Sequence, residues 1–141
     1  MSHLAKLLDF EVTVIDDRAD FANPVNLPDA DHIIVSDIGA AITGIEGNSD
    51  TFIVIVTRGH SDDAKALKPC IGSRAAYVGM IGSKGKIARM KTEFIANEWA
   101  TEEQWNRIHA PIGLDIRSQT VEEIAISIAA ELIQVRNKDT R

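Results

Sequence analysis

The stretch Ala75-Ala-Tyr-Val-Gly-Met-Ile-Gly-Ser-Lys-Gly-Lys86 decides the fold class, because an apolar run passes directly into a glycine turn and a basic segment able to form a helix. Strand, tight turn and helix in that order mark the carboxyl end of a strand in an open α/β sheet, where ligands bind. Gly82 would let a ligand approach the backbone closely. The helix start offers free N–H groups, Ser83 a hydroxyl, and Lys84 and Lys86 positive charge, a set that suits an anion. The same residues also fit a plain strand-to-helix connection with solvated lysines, and a short glycine motif does not choose between the two.

Upstream, Thr51-Phe-Ile-Val-Ile-Val-Thr57 is the most apolar run and reads as a central parallel strand covered on both faces. It ends in Thr57-Arg-Gly-His60, where Arg58 could grip a phosphate with its planar fork. His60 could act in proton transfer, as histidine commonly does, but no second acid, nucleophile or metal ligand completes a catalytic set, so binding or helix capping fits it better than catalysis. Ser61 can cap a helix through Ala64 and Leu67 that Pro69 stops. Cys70 reads as a half-buried small hydrophobe near that helix end, with a reactive thiol as the alternative.

Earlier still, Phe10-Glu-Val-Thr-Val-Ile-Asp16 alternates as a strand and closes in Asp16 and Asp17, followed by Arg18. A carboxylate there can accept hydrogen bonds from both ribose hydroxyls of a dinucleotide, which points to Asp16, or second to Asp17. The alternative is a solvated turn in which one of them pairs with Arg18. No G-x-G-x-x-G turn occurs in residues 1 to 10, so the usual confirmation of a dinucleotide site is missing. Leu4, Leu7 and Leu8 stand at helical spacing, as though the chain began inside a helix. Residues 19 to 31, with Pro24 and Pro28, form an exposed connection. Ile33 to Ser36 reads as a short buried strand, and Asp37 to Ile45 as a short helix or turn.

After the opening stretch, Ile87, Met90, Phe94 and Ile95 line one side of a helix. Thr101-Glu-Glu-Gln104 and Thr120-Val-Glu-Glu123 are capping boxes; the first starts a helix carrying Trp105 and Ile108. The second opens a last helix whose stripe, Val121, Ile124, Ala125, Ile128, Ala129, Leu132 and Ile133, belongs to the core. The tail from Arg136 to Arg141 is polar and expected to fray. His109 to Asp115 is a loop shaped by Pro111 and Gly113 for packing.

The 141 residues make one domain, 1–141, of a soluble α/β protein, with 45% hydrophobic and 26% charged residues. A net charge of −6 argues against a general nucleic-acid binder. One cysteine excludes an internal disulfide and a cysteine metal cage, which fits the cytoplasm. His3, His32, His60 and His109 lack the close spacing of a zinc pair, and no membrane span or signal pattern is present.

With these segments in hand, the chain resembles the carboxyl-terminal Rossmann-like domain of the xanthine dehydrogenase accessory factor family, XdhC/CoxI. Five stretches carry the resemblance in the family's order: Phe10 to Arg18, Thr57 to His60, Tyr77 to Ser83 with Lys86, His109 to Ile116, and Glu122 to Glu131. It implies a three-layer α/β/α fold with a mostly parallel sheet. It also implies a noncatalytic, chaperone-like role, in which the molybdenum cofactor is bound while a cysteine desulfurase helps to sulfurate it, then delivered to a molybdenum hydroxylase. The resemblance places ligand contacts at Asp16, Arg58, His60, Gly79, Gly82, Ser83 and Lys86.

Against the family's pattern, the initial strand and Gly-rich turn are missing, and so is a separate amino-terminal domain. Without the turn, the pyrophosphate of NAD(P) would have no cradle. Without the strand, two edges of the sheet would lie open, so a rearranged sheet or an intertwined homodimer sharing those edges is expected. The alternatives are a nucleotide-dependent oxidoreductase using His60 and the Gly79 to Lys86 turn, and an interaction module with no small-molecule ligand.

Overall fold

The computed structural model describes residues 1–139. Helix α1 (Ser2–Leu7) leads to β1 (Thr13–Asp16), which pairs in parallel with β2 (His32–Val35) from Thr13 opposite His32 to Asp16 opposite Val35. Asp31 fixes the approach: its carboxylate accepts from Lys6 Nζ at 3.0 Å and from the Val12 N–H at 2.7 Å. Helix α2 (Ile38–Thr43) follows, capped by the Asp37 side chain on the Ala40 N–H. Then β3 (Phe52–Ile55) and, beyond α3 (His60–Leu67) and a 3-10 turn (Lys68–Cys70), β4 (Tyr77–Met80) pair in parallel, with Phe52 opposite Tyr77. Helices α4 (Lys84–Ala96), α5 (Glu102–Asn106) and α6 (Val121–Arg136) complete the order. Both capping boxes form, at Thr101 with Gln104 and at Thr120 with Glu123.

Alternation along β3 and β4 sends side chains to two cores. One collects Ile55, Leu67, Val78, Met80, Ile87, Met90, Phe94 and Trp105, with Ile38, Ile42 and Ile53 against them. The other collects Tyr77, Ile112, Ile128 and Leu132 with Met1, Phe10, Phe52 and Val54. Helices thus cover both faces of parallel strands, the three-layer arrangement expected. The second core contains a polar knot. The Tyr77 hydroxyl donates to Glu131 Oε1 at 2.6 Å, the Gly113 N–H donates to the same oxygen at 3.2 Å, and His109 stacks on Tyr77 with centroids 4.5 Å apart. Burial, and then the hydrogen bond to Glu131, push the Tyr77 hydroxyl well above the usual phenol range. His109 also forms a parallel bridge with Gly79, so the loop after α5 seals the outer edge of β4.

Several expectations change. The Thr51 to Thr57 run is not covered on all sides: β3 is half-buried up to Ile55, because among the described residues no strand pairs with its other edge. β2 is likewise half-buried, with His32 and Val35 exposed. Helix α3 starts one residue before Ser61, at His60, behind Gly59 with φ +109°, a conformation that favours glycine. Val121 (79% exposed) and Ile133 (37%) leave the stripe of α6, whereas Leu132 and Val135 beside Ile133 stay on the core. Cys70 is fully buried, and burial pushes its thiol up to about 11, which removes its nucleophilic form at neutral pH. Arg136 does not fray: it donates to the Leu8 carbonyl at 2.6 Å and lies over Phe10. The tail's last two residues, Thr140 and Arg141, lie outside the described residues.

The sheet has not rearranged. Its strand order is β2–β1 and, separately, β3–β4, with no backbone hydrogen bond joining β1 to β3.

Glu131→Ala should leave the Tyr77 hydroxyl and the Gly113 N–H without an acceptor, lowering stability by about 2–4 kcal/mol in urea unfolding. Gly79→Ala should cost about 1–3 kcal/mol in the same measurement, since a Cβ there would stand 2.5 Å from the Tyr77 hydroxyl and 2.7 Å from Ile112.

Candidate functional site

Two segments follow the carboxyl ends of adjacent strands: Thr57 to His60 after β3, and Ile81 to Ser83 after β4. Asp63 draws them together. Its side chain, on the first turn of α3, is 0% exposed, accepts from the Thr57 hydroxyl and pairs with Lys86 Nζ on α4. A carboxylate cut off from water costs several kcal/mol unless it is paired and hydrogen-bonded, so burial of Asp63 obliges the two segments to stay in register. A second tie lies outside it, from His60 Nε2 to Glu93 Oε2 at 2.6 Å, with both side chains partly exposed.

The end of β1 joins the same mouth. Both Asp16 oxygens are held by Arg18, from Nε at 3.0 Å and Nη2 at 2.9 Å, and the Arg18 N–H donates to Oδ1 at 2.9 Å. The Arg18 hydrogen bonds hold the Asp16 carboxyl down at about 2, against a smaller opposing effect of burial. The Arg18 guanidinium lies 4.0 Å from the centre of the Phe21 ring, and Arg58 lies 5.9 Å from the same ring. Phe21, 55% exposed, therefore links the ends of β1 and β3.

Asp16, His60 and Lys86 are thus engaged with other residues of the chain, and Lys86 has its charge matched by Asp63. The Ser83 side chain accepts from the Lys86 N–H at 3.2 Å, leaving its own hydroxyl proton available. A Cβ on Gly82 would meet Ile87 at 2.9 Å, so the turn closes on its own helix. Gly79 faces Tyr77 and Ile112 within the packed strand. Other groups are open to a ligand. Among the described residues, the exposed side chains of Arg58 and Lys84 have no hydrogen-bonded or ionic partner, and the N–H groups of Lys84 and Gly85 have no backbone acceptor. The first turn of α4 carries no acid. This is positive potential at a helix start.

Sequence reasoning does not single out Asp63, Glu93 or Phe21. Asp63 has a signal, since it falls in step with Ala64, Ala66 and Leu67 on the buried side of α3. Two hollows of about 310 and 380 Å³ lie at the other end of the strands, lined by residues such as Phe52, Arg74, Ala76, Arg136 and His109. They share no residue with the mouth, and its charged groups carry more chemical information than their size does. Among the described residues no group of three or more His, Cys, Asp or Glu could hold a metal ion, and no helix is long and apolar enough to cross a membrane.

The model of the family described as the XdhC Rossmann domain matches residues 1–132. The uncharacterized protein YqeB of Escherichia coli is 32% identical over 134 residues, covering 94% of this chain and 24% of its own length. A protein of Bacillus subtilis, named as one of the probable subunits of xanthine dehydrogenase, is 24% identical over 138 residues, covering 98% of this chain and 39% of the other. The crystal structure of a xanthine dehydrogenase from Bacillus halodurans superposes with a TM-score of 0.83 at 30% identity, over 98% of this chain and 39% of that one. The chain therefore spans well under half the length of these relatives.

Lys86→Met should strand Asp63 and cost about 3–5 kcal/mol in urea unfolding, with Asp63→Asn in the same background recovering part of the loss. Because the Asp16 carboxyl is lowered on folding, its contribution to stability is complete above the ordinary carboxylate value of about 4. It is lost as pH falls towards about 2. Arg18→Ala should return Asp16 to the ordinary range, which a carboxyl NMR titration would read directly.

Proposed function

The chain belongs to the XdhC Rossmann-domain family, and from that premise we propose that it acts as an accessory domain in the maturation of a molybdenum hydroxylase of the xanthine dehydrogenase type. In this reading it holds the molybdenum cofactor by its phosphate at the mouth formed by β1, β3 and β4. The observation that supports it is the union of the Thr57 to His60 segment with the start of α4 through Asp63 and Lys86. That union brings the segment carrying Arg58 to the same end of the sheet as the start of α4, with Lys84 and the N–H groups of Lys84 and Gly85.

Each residue then has a physical task. Arg58 offers two parallel N–H donors to phosphate oxygens, the amides of Lys84 and Gly85 align with the helix dipole, and the Ser83 hydroxyl can donate once more. Lys86 acts through Asp63 as a positioning residue. His60, tied to Glu93, joins the start of α3 to α4. The cofactor supplies molybdenum redox chemistry to the hydroxylase that receives it. In this reading the chain grips the cofactor by its phosphate, which leaves the metal end free for the hydroxylase. The hydroxylase and a cysteine desulfurase are the proposed partners. The dinucleotide reading asks Asp16 to accept ribose hydroxyls, although both its oxygens already hold Arg18.

The test is co-purification from a cell that makes the cofactor, with bound pterin read by fluorescence after oxidation. The unaltered chain should retain pterin, and Arg58→Ala with Lys84→Ala should retain about tenfold less or lower, equivalent to 1.4 kcal/mol or more, with unfolding unchanged. Pterin no higher than in a cell lacking the chain would end this reading.

A further inference from the structure

The hollow of about 380 Å³ at the amino end of the sheet differs from its neighbour in sign. Its polar lining among the described residues is Asn106, Arg107, His109 and Lys138, with no carboxylate, in a chain whose net charge is −6. The adjoining hollow shares Ala76, Val135 and Lys138 with it but includes Asp50 and Asp139. Charge of one sign in a concave, partly apolar wall is less screened than on open surface, so the acid-free hollow is the one that attracts an anion.

Its two cations come from different elements, Arg107 from the end of α5 and Lys138 from just beyond α6. Arg107 is held by Glu103 at 3.0 Å, between side chains 71% and 81% exposed, and a surface pair of that kind is worth little. The Lys138 side chain has no hydrogen-bonded or ionic partner among the described residues. Both can turn to a ligand at small cost. Val78, 6% exposed, and half-buried Val135 supply an apolar floor.

His109 gives the hollow a directed group. Its ring stacks on Tyr77, and Nδ1 faces Glu131 Oε1 at 3.5 Å. Glu131 is anchored in turn by the Tyr77 hydroxyl and the Gly113 N–H. The backbone holds the same residue from a second side: the His109 N–H donates to the Val78 carbonyl at 2.9 Å, and its carbonyl accepts from the Met80 N–H at 3.0 Å. Nε2, across the ring from Glu131, has no partner among the described residues. A carboxylate at Nδ1 keeps a proton on that nitrogen. An anion at Nε2 favours a second proton there, because the ring then lies between two negative charges. The groups that bear on this step are Glu131 from α6, the Tyr77 hydroxyl from β4, and Arg107 and Lys138 in the hollow. The two cations oppose the second proton until an anion neutralises them.

We propose that this hollow is a second small-molecule site, for a compact organic anion whose apolar body carries one carboxylate or phosphate group. Arg107 and Lys138 grip the anionic group, Val78 and Val135 receive the body, and His109 takes up a proton from solvent as the ligand binds. The volume falls in the usual range for small-ligand pockets. The site shares no residue with the mouth, so the inference stands whichever ligand the mouth takes.

The probes are benzoate and phenyl phosphate, with benzamide and inorganic phosphate as controls, titrated into the whole chain isotope-labelled at its histidine nitrogens. Benzoate, phenyl phosphate or both should bind with a Kd of about a millimolar or tighter and move the His109 Nε2 resonance to the imidazolium position. Which of them does so identifies the anionic group. Arg107→Gln with Lys138→Gln should weaken binding about tenfold or more with unfolding unchanged, whereas Arg58→Ala with Lys84→Ala should leave the His109 response as it is. If the first double variant unfolds more easily, benzamide on the unaltered chain makes the same distinction between charge and shape. A His109 resonance unmoved by either probe at about ten times that concentration, an equal response to benzamide or to inorganic phosphate, or binding that survives the loss of both cations would each overturn the proposal.

Discussion

A carboxylate with no access to water must keep its counter-charge, and Asp63 imposes that condition on the working end of this molecule. Its partners come from two places in the chain away from its own helix: the Thr57 segment that ends β3, and Lys86 on the helix that follows β4. Neither can leave without exposing the other to an uncompensated charge. The relative position of two strand ends, and hence of Arg58 and the first amides of α4, follows from this one buried group.

A second acid does the corresponding work across the sheet. Glu131 receives the Tyr77 hydroxyl and the Gly113 N–H, so α6, β4 and the loop after α5 are held by a polar knot inside an apolar layer. With Asp63 serving one layer and Glu131 the other, β4 is the fully buried strand of the molecule. Burial falls away from it, through half-covered β3 to β1 and β2, whose outer residues are exposed. The mouth inherits this gradient. Its β4 side is buried and Asp63 and Lys86 there match each other's charge, while its β1 side rests on Arg18, Phe21 and surface hydrogen bonds.

Much of this is readable in the residues. Strand, turn and helix around Gly82, both capping boxes, the face of α4 and the parallel order depend on periodicities and on residue types that act within a few positions. Asp16, Arg58, His60, Ser83 and Lys86 are all recognisable as polar groups following apolar strands, and they stand at the end of β1, after β3, and at the starts of α3 and α4. Their employment is not readable. In sequence Lys86 looks like a free cation and Asp16 like a free acceptor, because the partner that neutralises Lys86 lies 23 positions away, and the Asp16 to Arg18 pairing has an equal competitor in solvent. Sequence overstates the burial of β2 and β3 because an apolar run reports what a strand can tolerate, not whether a neighbour is present.

The sequence by itself determined the local conformations, the doubly wound parallel order and the end of the molecule where charge collects, since each follows from the chemistry of short windows. Tertiary structure alone decided which charges are spent on each other and which remain, and that β1 and β3 face one another unjoined. Those outcomes depend on desolvation and on backbone groups meeting across space, and neither is a property of any short window of residues.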